Sequence, residues 1–570
     1  MKLQILFFFF LIIFCQSKAW GQQRFDIVID EIMADPSPQV GLPNIEYVEL
    51  KNVSGHDINL QGWRLSSSSA ISGAFANYIL PADSFLIITT TSGAASFTAY
   101  GRVLGVASFP ALTNEGTTLS LTGKDGKIIH FVSYNLSWYQ NAVKEDGGWS
   151  LEMADTHNPC SGQSNWKAST DNSGGTPGKK NSTDALNKDD KVPKLKNVYA
   201  ADNTTLVLQF DEAVDSLTAV DATHYTLTPA VPVISLAIIS NDFTAIQLKL
   251  GSSLNPAIIY TITVSGIKDC TGNATTSEQL KIGLPQDAVA NDIIINEILF
   301  NPKPDGYDYV EFYNRSNKII DANKLFIANR NSSGVISSFK KLSEQPVYIF
   351  PGSYVVVTED VNALQKNYLV KDPGTILMVS SLPSFPDDKG SVVLTNFQGA
   401  IVDELNYLDD WHFALIANAE GVALERIDPE KPTQNADNWH SAASTAGYGT
   451  PGYKNSQYKQ TDAINATIEI TPKVFSPDND GIDDIATVQY QISETGYVAN
   501  ITIFDVNGRS VKHLVKNATL GLKGSWNWDG LDEKGQKLGI GTYIIYTEMF
   551  NLQGKKKHFK NVVMLARRLN

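Results

Sequence analysis

The chain has 570 residues, 42% of them hydrophobic, and a formal net charge of −14. That apolar content is enough for ordinary globular cores and excludes general disorder. At roughly 150 residues per domain the length allows three to five domains, while the negative charge weighs against nucleic acid and anionic membranes, whose phosphates call for lysine and arginine.

The first element is a leader, expected at residues 1–21. Lys2 supplies a short positive region, and Leu6 to Phe14 is an apolar run too short to span a bilayer comfortably. Ala19 and Gly21 fit a cleavage site that leaves Gln22 as the mature start. Cys15 invites a lipoprotein reading, but Phe14 stands where a small residue is needed. No later stretch is long and apolar enough to cross a membrane as a helix.

From residue 22 the chain reads as short strands separated by turn residues. Ile27-Val28-Ile29, Tyr47 to Leu50, Phe85 to Thr89 and Thr118 to Leu121 alternate with Gly55, Ser92-Gly93 and Gly123 to Gly126. No long segment carries helical spacing. Much of this stretch occurs twice. Ile29-Asp30-Glu31-Ile32 returns as Ile295-Asn296-Glu297-Ile298, and Glu46-Tyr47-Val48-Glu49-Leu50 as Asp308 to Phe312. Gly175-Thr176-Pro177-Gly178 with Lys180-Asn181-Ser182 returns as Gly449 to Gly452 with Lys454-Asn455-Ser456. A unit of this length present twice is one domain used twice. Five segments are therefore expected after the leader: 22–182, a polar linker at 183–192, a spacer at 193–285, the second copy at 286–458, and a last unit at 459–570. The fold class is all-β, four tandem immunoglobulin-like β-sandwiches.

The candidate chemistry is sparse. Asp478, Asp480 and Asp484 in the run Asp478-Asn479-Asp480-Gly481-Ile482-Asp483-Asp484 are the expected metal ligands, with calcium as the cation. Hard divalent cations take several oxygens from a tight loop, and glycine permits the turn. The competing reading is a polar turn whose aspartates cap backbone groups. Glu46 and Glu49, with Asp308 and Glu311 in the second copy, stand three apart on a strand. They should face opposite ways and sit as polar positions at a strand edge. Gly175 to Lys180 has a trace of a phosphate loop, but Pro177 interrupts it and a closing turn is the simpler account. Trp63, Trp138, Trp149, Trp166, Trp411 and Trp439 either fill cores or stack on sugars, with core filling expected. Cys160 and Cys270 read as isolated structural cysteines, and a bridge between them stays open. No H-E-x-x-H or G-x-S-x-G occurs, and no catalytic residue is assigned.

The repeated unit resembles the lamin-tail domain. The residues that carry this are the opening I-x-E-I, the E-Y-V-E-L run with Asn52, Gly62-Trp63, Trp166 and the closing Gly175 to Gly178. The second copy has Leu325-Phe326 where the Gly-Trp pair stands. The spacer resembles immunoglobulin-like modules of bacterial surface-layer proteins, through Phe210 to Asp215 and His224 to Leu227. The last unit is similar to terminal modules of flagellar hook-capping and gliding-motility-associated proteins. Val474 to Gly481, Ile503 to Gly508, Trp526 to Gly530 and Gly541-Thr542-Tyr543 carry that likeness. These resemblances imply a fold and no chemistry. They also imply that the last unit engages a secretion system. The resulting expectation is a non-catalytic, secreted or cell-surface structural and adhesion protein, its partner an unidentified protein or polysaccharide. The alternative is a carbohydrate-binding protein or the accessory part of a secreted hydrolase.

Overall fold

The computed structural model describes residues 23–416, 418–458, 467–552 and 556–567. The expected leader and residues 459–466 at the start of the expected last unit lie outside the described residues. The chain divides into two compact units. One runs to Leu254 and takes in Tyr260–Ile282; the other takes in Asn255–Ile259 and continues from Gly283.

In the first unit, a six-stranded sheet runs in the order Trp166–Ala168, Leu151–Met153, Ile27–Met33, Tyr47–Asn52, Phe85–Thr90, Val103–Val106. Only its last pair is parallel. The strands Arg64–Ser66, Gly116–Thr122 and Ile128–Asn135 form the facing sheet. Between them Trp63, Leu65, Leu119 and Leu121 are fully buried and Trp166 nearly so. In Ile128–Asn135 the outer half alternates, with Val132 and Tyr134 inward and Ser133 and Asn135 outward, the signature of a half-buried strand. Ile27–Met33 is different, because all seven residues are buried. Its second face is covered too, by a smaller cluster of Met33, Leu42, Tyr47, Ile87 and Phe97 and by the returning segment around Gly175. Truncating Trp63 to Ala should cost about 3–5 kcal/mol, read as a lower urea midpoint for the first core.

The same unit holds a second, smaller sandwich. Leu195–Asp202, Thr205–Phe210, Ala245–Leu250 and Val233–Ile238 form one sheet, and Tyr225–Thr228, Tyr260–Val264 and Glu278–Ile282 the other.

The second unit repeats the plan. Its six-stranded sheet runs Trp439–Ser441, Leu424–Arg426, Ile293–Leu299, Tyr309–Asn314, Tyr354–Thr358, Ile376–Met378, the same order as in the first copy. Both copies share one irregularity. Pairing passes from Ile29↔Leu50 to Glu31↔Glu49, and from Ile295↔Phe312 to Glu297↔Glu311, so Asp30 and Asn296 are the extra residues of matching β-bulges. Where the Gly-Trp pair is replaced, Leu325 fills the core and Phe326 lies half-buried. The last sandwich pairs a three-stranded sheet (Thr467–Thr471, Ala486–Gln491, Lys523–Trp528) with a five-stranded one containing Gly541–Asn551. Trp528 is its fully buried centre, 5.1 Å from Phe475 and 5.3 Å from Tyr543 between ring centroids.

Candidate functional site

The Asp478–Asp484 loop is built by its own side chains. Asp484 Oδ1 accepts from the backbone N–H of Asp478 (3.1 Å) and Asn479 (2.6 Å), and Oδ2 from Gly481 (2.8 Å). Asp480 Oδ1 accepts from Ile482 N–H at 2.9 Å. Gly481 sits at φ +85°, where a side chain would be strained. This folding brings the three expected ligands together: one carboxylate oxygen from each of Asp478, Asp480 and Asp484 lies within 4.8 Å of the others. Oxygens that each lie about 2.4 Å from one calcium ion are separated by no more than that. The capping and the cation readings therefore describe the same loop.

The repeated carboxylates occupy a place that strand reasoning missed. Glu46 and Glu49 do diverge: Glu46 Oε2 accepts from Leu112 N–H at 3.1 Å, while Glu49 Oε2 accepts from Gly178 N–H at 2.5 Å. Yet Glu49 is no edge residue. It is fully buried in the middle of the six-stranded sheet, as is Glu311 in the second copy. The expectation of solvated edge positions is corrected for both; the reason is a segment that returns from far along the chain.

Each copy closes with that segment on three buried glutamates. In the first, Glu31 Oε1 accepts from Tyr47 Oη (2.8 Å), Ser150 Oγ (2.6 Å) and Thr176 N–H (2.7 Å). Glu152 accepts from Thr176 Oγ1 (2.8 Å), Ser182 Oγ (2.8 Å) and Thr183 N–H (2.9 Å). In the second, Thr450 Oγ1 lies 2.7 Å from Glu297 Oε2 and 2.9 Å from Glu425 Oε1. A hydroxyl has one hydrogen, so one carboxyl of that pair keeps its own proton. Burial raises Glu297 to about 8, with Glu425 adding to the effect. The first glycine of the closing motif leaves no room for a methyl: a Cβ on Gly175 would lie 2.6 Å from Glu31 Oε1 and 2.7 Å from Tyr47 Oη. Gly175→Ala should therefore loosen the segment, read as faster amide exchange over residues 175–183 with the strand Gly116–Thr122 unchanged. Facing carboxylates also dispose of the phosphate-loop resemblance, since an anion there meets only like charge.

The copies differ at one point. In the second, Asn296 Nδ2 donates to Glu311 Oε1 at 2.7 Å and to Asn455 Oδ1 at 2.6 Å, so every oxygen of the three glutamates has a hydrogen-bond partner. In the first, Asp30 takes that position and has no hydrogen to give when ionised. Among the described residues Asp30 Oδ1, Glu31 Oε2 and Glu49 Oε1 are buried without a partner. Burial is the leading cause that raises Asp30 to about 7 and pushes Glu49 well above the carboxylate range, and neighbouring carboxylates add to both.

The cysteines do pair. Cys160 and Cys270 are disulfide-bonded with Cα atoms 6.3 Å apart, correcting the reading of two isolated thiols. The bond joins the first core to the small sandwich within one unit. Beside it lies a cavity of about 1030 Å³ whose wall includes Arg24 and Glu212. The Arg24 guanidinium lies 4.4 Å from the Phe25 ring centroid and 3.4 Å from that of Phe243. Asp189, Glu212 and Asp269 converge there within 4.8 Å, a cluster the sequence reading missed because its members come from three distant segments. Part of the segment 183–192 is docked rather than free: Ala185 N–H donates to Ala154 O and Asn187 N–H to Asp155 Oδ2.

Of the six tryptophans, Trp63, Trp138, Trp166 and Trp439 are buried, while Trp149 and Trp411 are half-buried against their cores. Core filling accounts for the first four.

With this geometry in view, the family matches fall into place by segment. Residues 22–136 match the Lamin Tail Domain, residues 185–282 a Bacterial Ig-like domain, and residues 468–565 the CHU_C Type IX secretion signal domain. No curated protein matches the chain. Among solved structures, the N-terminal part of the bacterial S-layer protein SbsC aligns at 19% identity over 30% of this chain and 42% of that one, TM-score 0.16. A tetra-tandem repeat from the extending region of a large adhesion protein aligns at 11% over 95% and 99%, TM-score 0.14. A DUF4876 family protein from Bacteroides thetaiotaomicron VPI-5482 aligns at 12% over 38% and 90%, TM-score 0.19. The chain thus spans less than half of the S-layer fragment, and overlaps this weak carry no argument about function.

Proposed function

We propose that this chain is an exported, non-catalytic protein of the cell surface or extracellular space that serves as a structural and adhesion element. The observation that carries the reading is the match of residues 468–565 to a secretion signal domain at the end of a row of β-sandwiches. Loops at the sandwich rims present the contact surface. Fractionation tests it. The intact protein should appear at the surface or in the medium, and a chain lacking residues 468–567 should be retained inside the cell. Equal export of both forms would refute the role of the last module.

The rival reading, sugar binding through stacked tryptophans, loses most of its support with four of the six rings buried.

The second element of the proposal is calcium at Asp478, Asp480 and Asp484, supported by their convergence on a glycine-permitted turn. A ligand that binds only the folded state stabilises it. Chelation should therefore hasten amide exchange across residues 474–486 in the full chain, and Asp480→Asn should abolish that response. Exchange indifferent to chelator would leave the loop as a plain turn.

A further inference from the structure

A cavity of about 610 Å³ lies in the second unit, between the closing segment of the second lamin-tail-like copy and the last sandwich. Its charged lining is one-sided. Lys371, Lys454 and Lys523 line it, and among the described residues no Asp or Glu does. In a chain with net charge −14 this is a local inversion. Among the described residues none of the three ammonium groups has an ion-pair partner. Two are held by rings instead: Lys371 Nζ lies 3.8 Å from the Tyr453 ring centroid, and Lys454 Nζ 3.7 Å from that of Tyr458. A lysine held over a ring keeps its charge in place. Lys454 is pulled below the usual lysine range by burial and by its neighbour Lys523. Two cations lining one cavity without a counter-ion repel each other, and an anion relieves that repulsion.

The rest of the wall narrows the ligand class. Ser493 and Ser525 contribute hydroxyls, and Asn367 and Gln491 contribute amides. Such groups match ring hydroxyls, whereas a bare phosphate needs only a small nest of N–H donors. The volume also exceeds what a single small anion fills. We infer that this cavity binds a short acidic saccharide of the uronate type, its carboxylates on Lys454 and Lys523 and its hydroxyls on the serine and amide wall. The overall negative charge of the protein favours a short oligomer or a chain end over a long polyanion lying across the surface. This deepens the adhesion reading by naming a ligand, and rests on it only for the place where that ligand is met.

Calorimetric titration of the full chain with trigalacturonate tests the assignment, with neutral galactotriose, inorganic phosphate and a short single-stranded DNA as comparators. Trigalacturonate should bind at a single site. Lys454→Gln with Lys523→Gln should weaken it about tenfold, since two exposed ion pairs are lost, while Lys196→Gln leaves it unchanged. In the unaltered protein, bound trigalacturonate should shield Lys454 and Lys523 from acetylation, a readout that does not depend on the double variant folding. Galactotriose or DNA binding as tightly, phosphate displacing the sugar at equal concentration, or an absence of shielding would each overturn the assignment. Failure here would leave surface fractionation unaffected, so the two readings fail separately.

Discussion

Asp30→Asn should stabilise the first lamin-tail-like core at pH 8 and do little at pH 5. The second copy already contains the product of that change: Asn296 donates to Glu311 Oε1, and each oxygen of its three glutamates has a hydrogen-bond partner. In the first copy Asp30 Oδ1 and Glu49 Oε1 are both orphaned inside the sheet. Only a proton held there supplies a donor. Around Asp30 stand Lys51, Glu152 and Asp184, and around Glu49 stand Glu31, Asp30 and Glu152; Lys51 opposes the rise at Asp30, and the Gly178 N–H opposes it at Glu49.

These carboxyls titrate higher in the folded state than in the unfolded chain, where the range is about 4. The folded state therefore holds the proton more tightly. The resulting stability is full below about pH 4 and is lost as pH rises through the folded values, about 7 for Asp30 and about 8 for Glu31. An asparagine at position 30 supplies the hydrogen at every pH. The gain at pH 8 should be about 1–3 kcal/mol, the penalty of an unsatisfied buried polar group, or several degrees in unfolding temperature. Amide exchange in the full chain measures it, comparing Ile27–Met33 with Ile293–Leu299, so that the second copy serves as a reference at each pH. The reverse change, Asn296→Asp, should make the second core sensitive to alkali. A gain of equal size at both pH values would show that the proton is not involved.

Loss of the Cys160–Cys270 bond is the other large effect. The bridge closes a loop between residues 110 apart in sequence and ties two separate cores. Bridges of this span typically contribute about 2–5 kcal/mol, chiefly by limiting the unfolded or opened chain. Reduction, or Cys160→Ser with Cys270→Ser, should leave the junction held by weaker contacts. These are Arg24 Nη1 donating to Val214 O at 3.0 Å, Asn273 Nδ2 donating to Asp189 O at 3.2 Å, and the docked stretch at 185–187. Protease cleavage within residues 183–192 should then rise at least about tenfold, because each 1.4 kcal/mol multiplies the open population by that factor. Cleavage at an unchanged rate would mean that those contacts alone keep the junction shut.

Local signals were readable and distant ones were not. The alternation in Ile128–Asn135 marks a half-buried strand without help from elsewhere. The Asp478–Asp484 loop is legible for the same reason, since ligands and turn lie within seven residues. Glu49 was misread because the group that buries it, Gly178, lies 129 residues further on. One signal was present and unused. Leu151-Glu152 and Leu424-Glu425 each place their glutamate 14 residues before the tryptophan of Asn165-Trp166 and Asn438-Trp439. A charged residue kept at fixed spacing within a repeated apolar context points inward. The Asp189, Glu212 and Asp269 cluster offered no such clue, because three folded segments have to meet before it exists.

The closing segment also decides how the second lamin-tail-like module responds to pulling, whereas in the first the Cys160–Cys270 bridge carries the load past that segment. Its hydrogen bonds run from the last residues of that copy to Glu297 on the first strand, so entry and exit of the chain are fastened to each other. Tension along the chain would load those few carboxylate bonds before it reached the hydrophobic layers. The module should give way by releasing its tail as a discrete mechanical step, lengthening the molecule while the sandwich behind it stays intact.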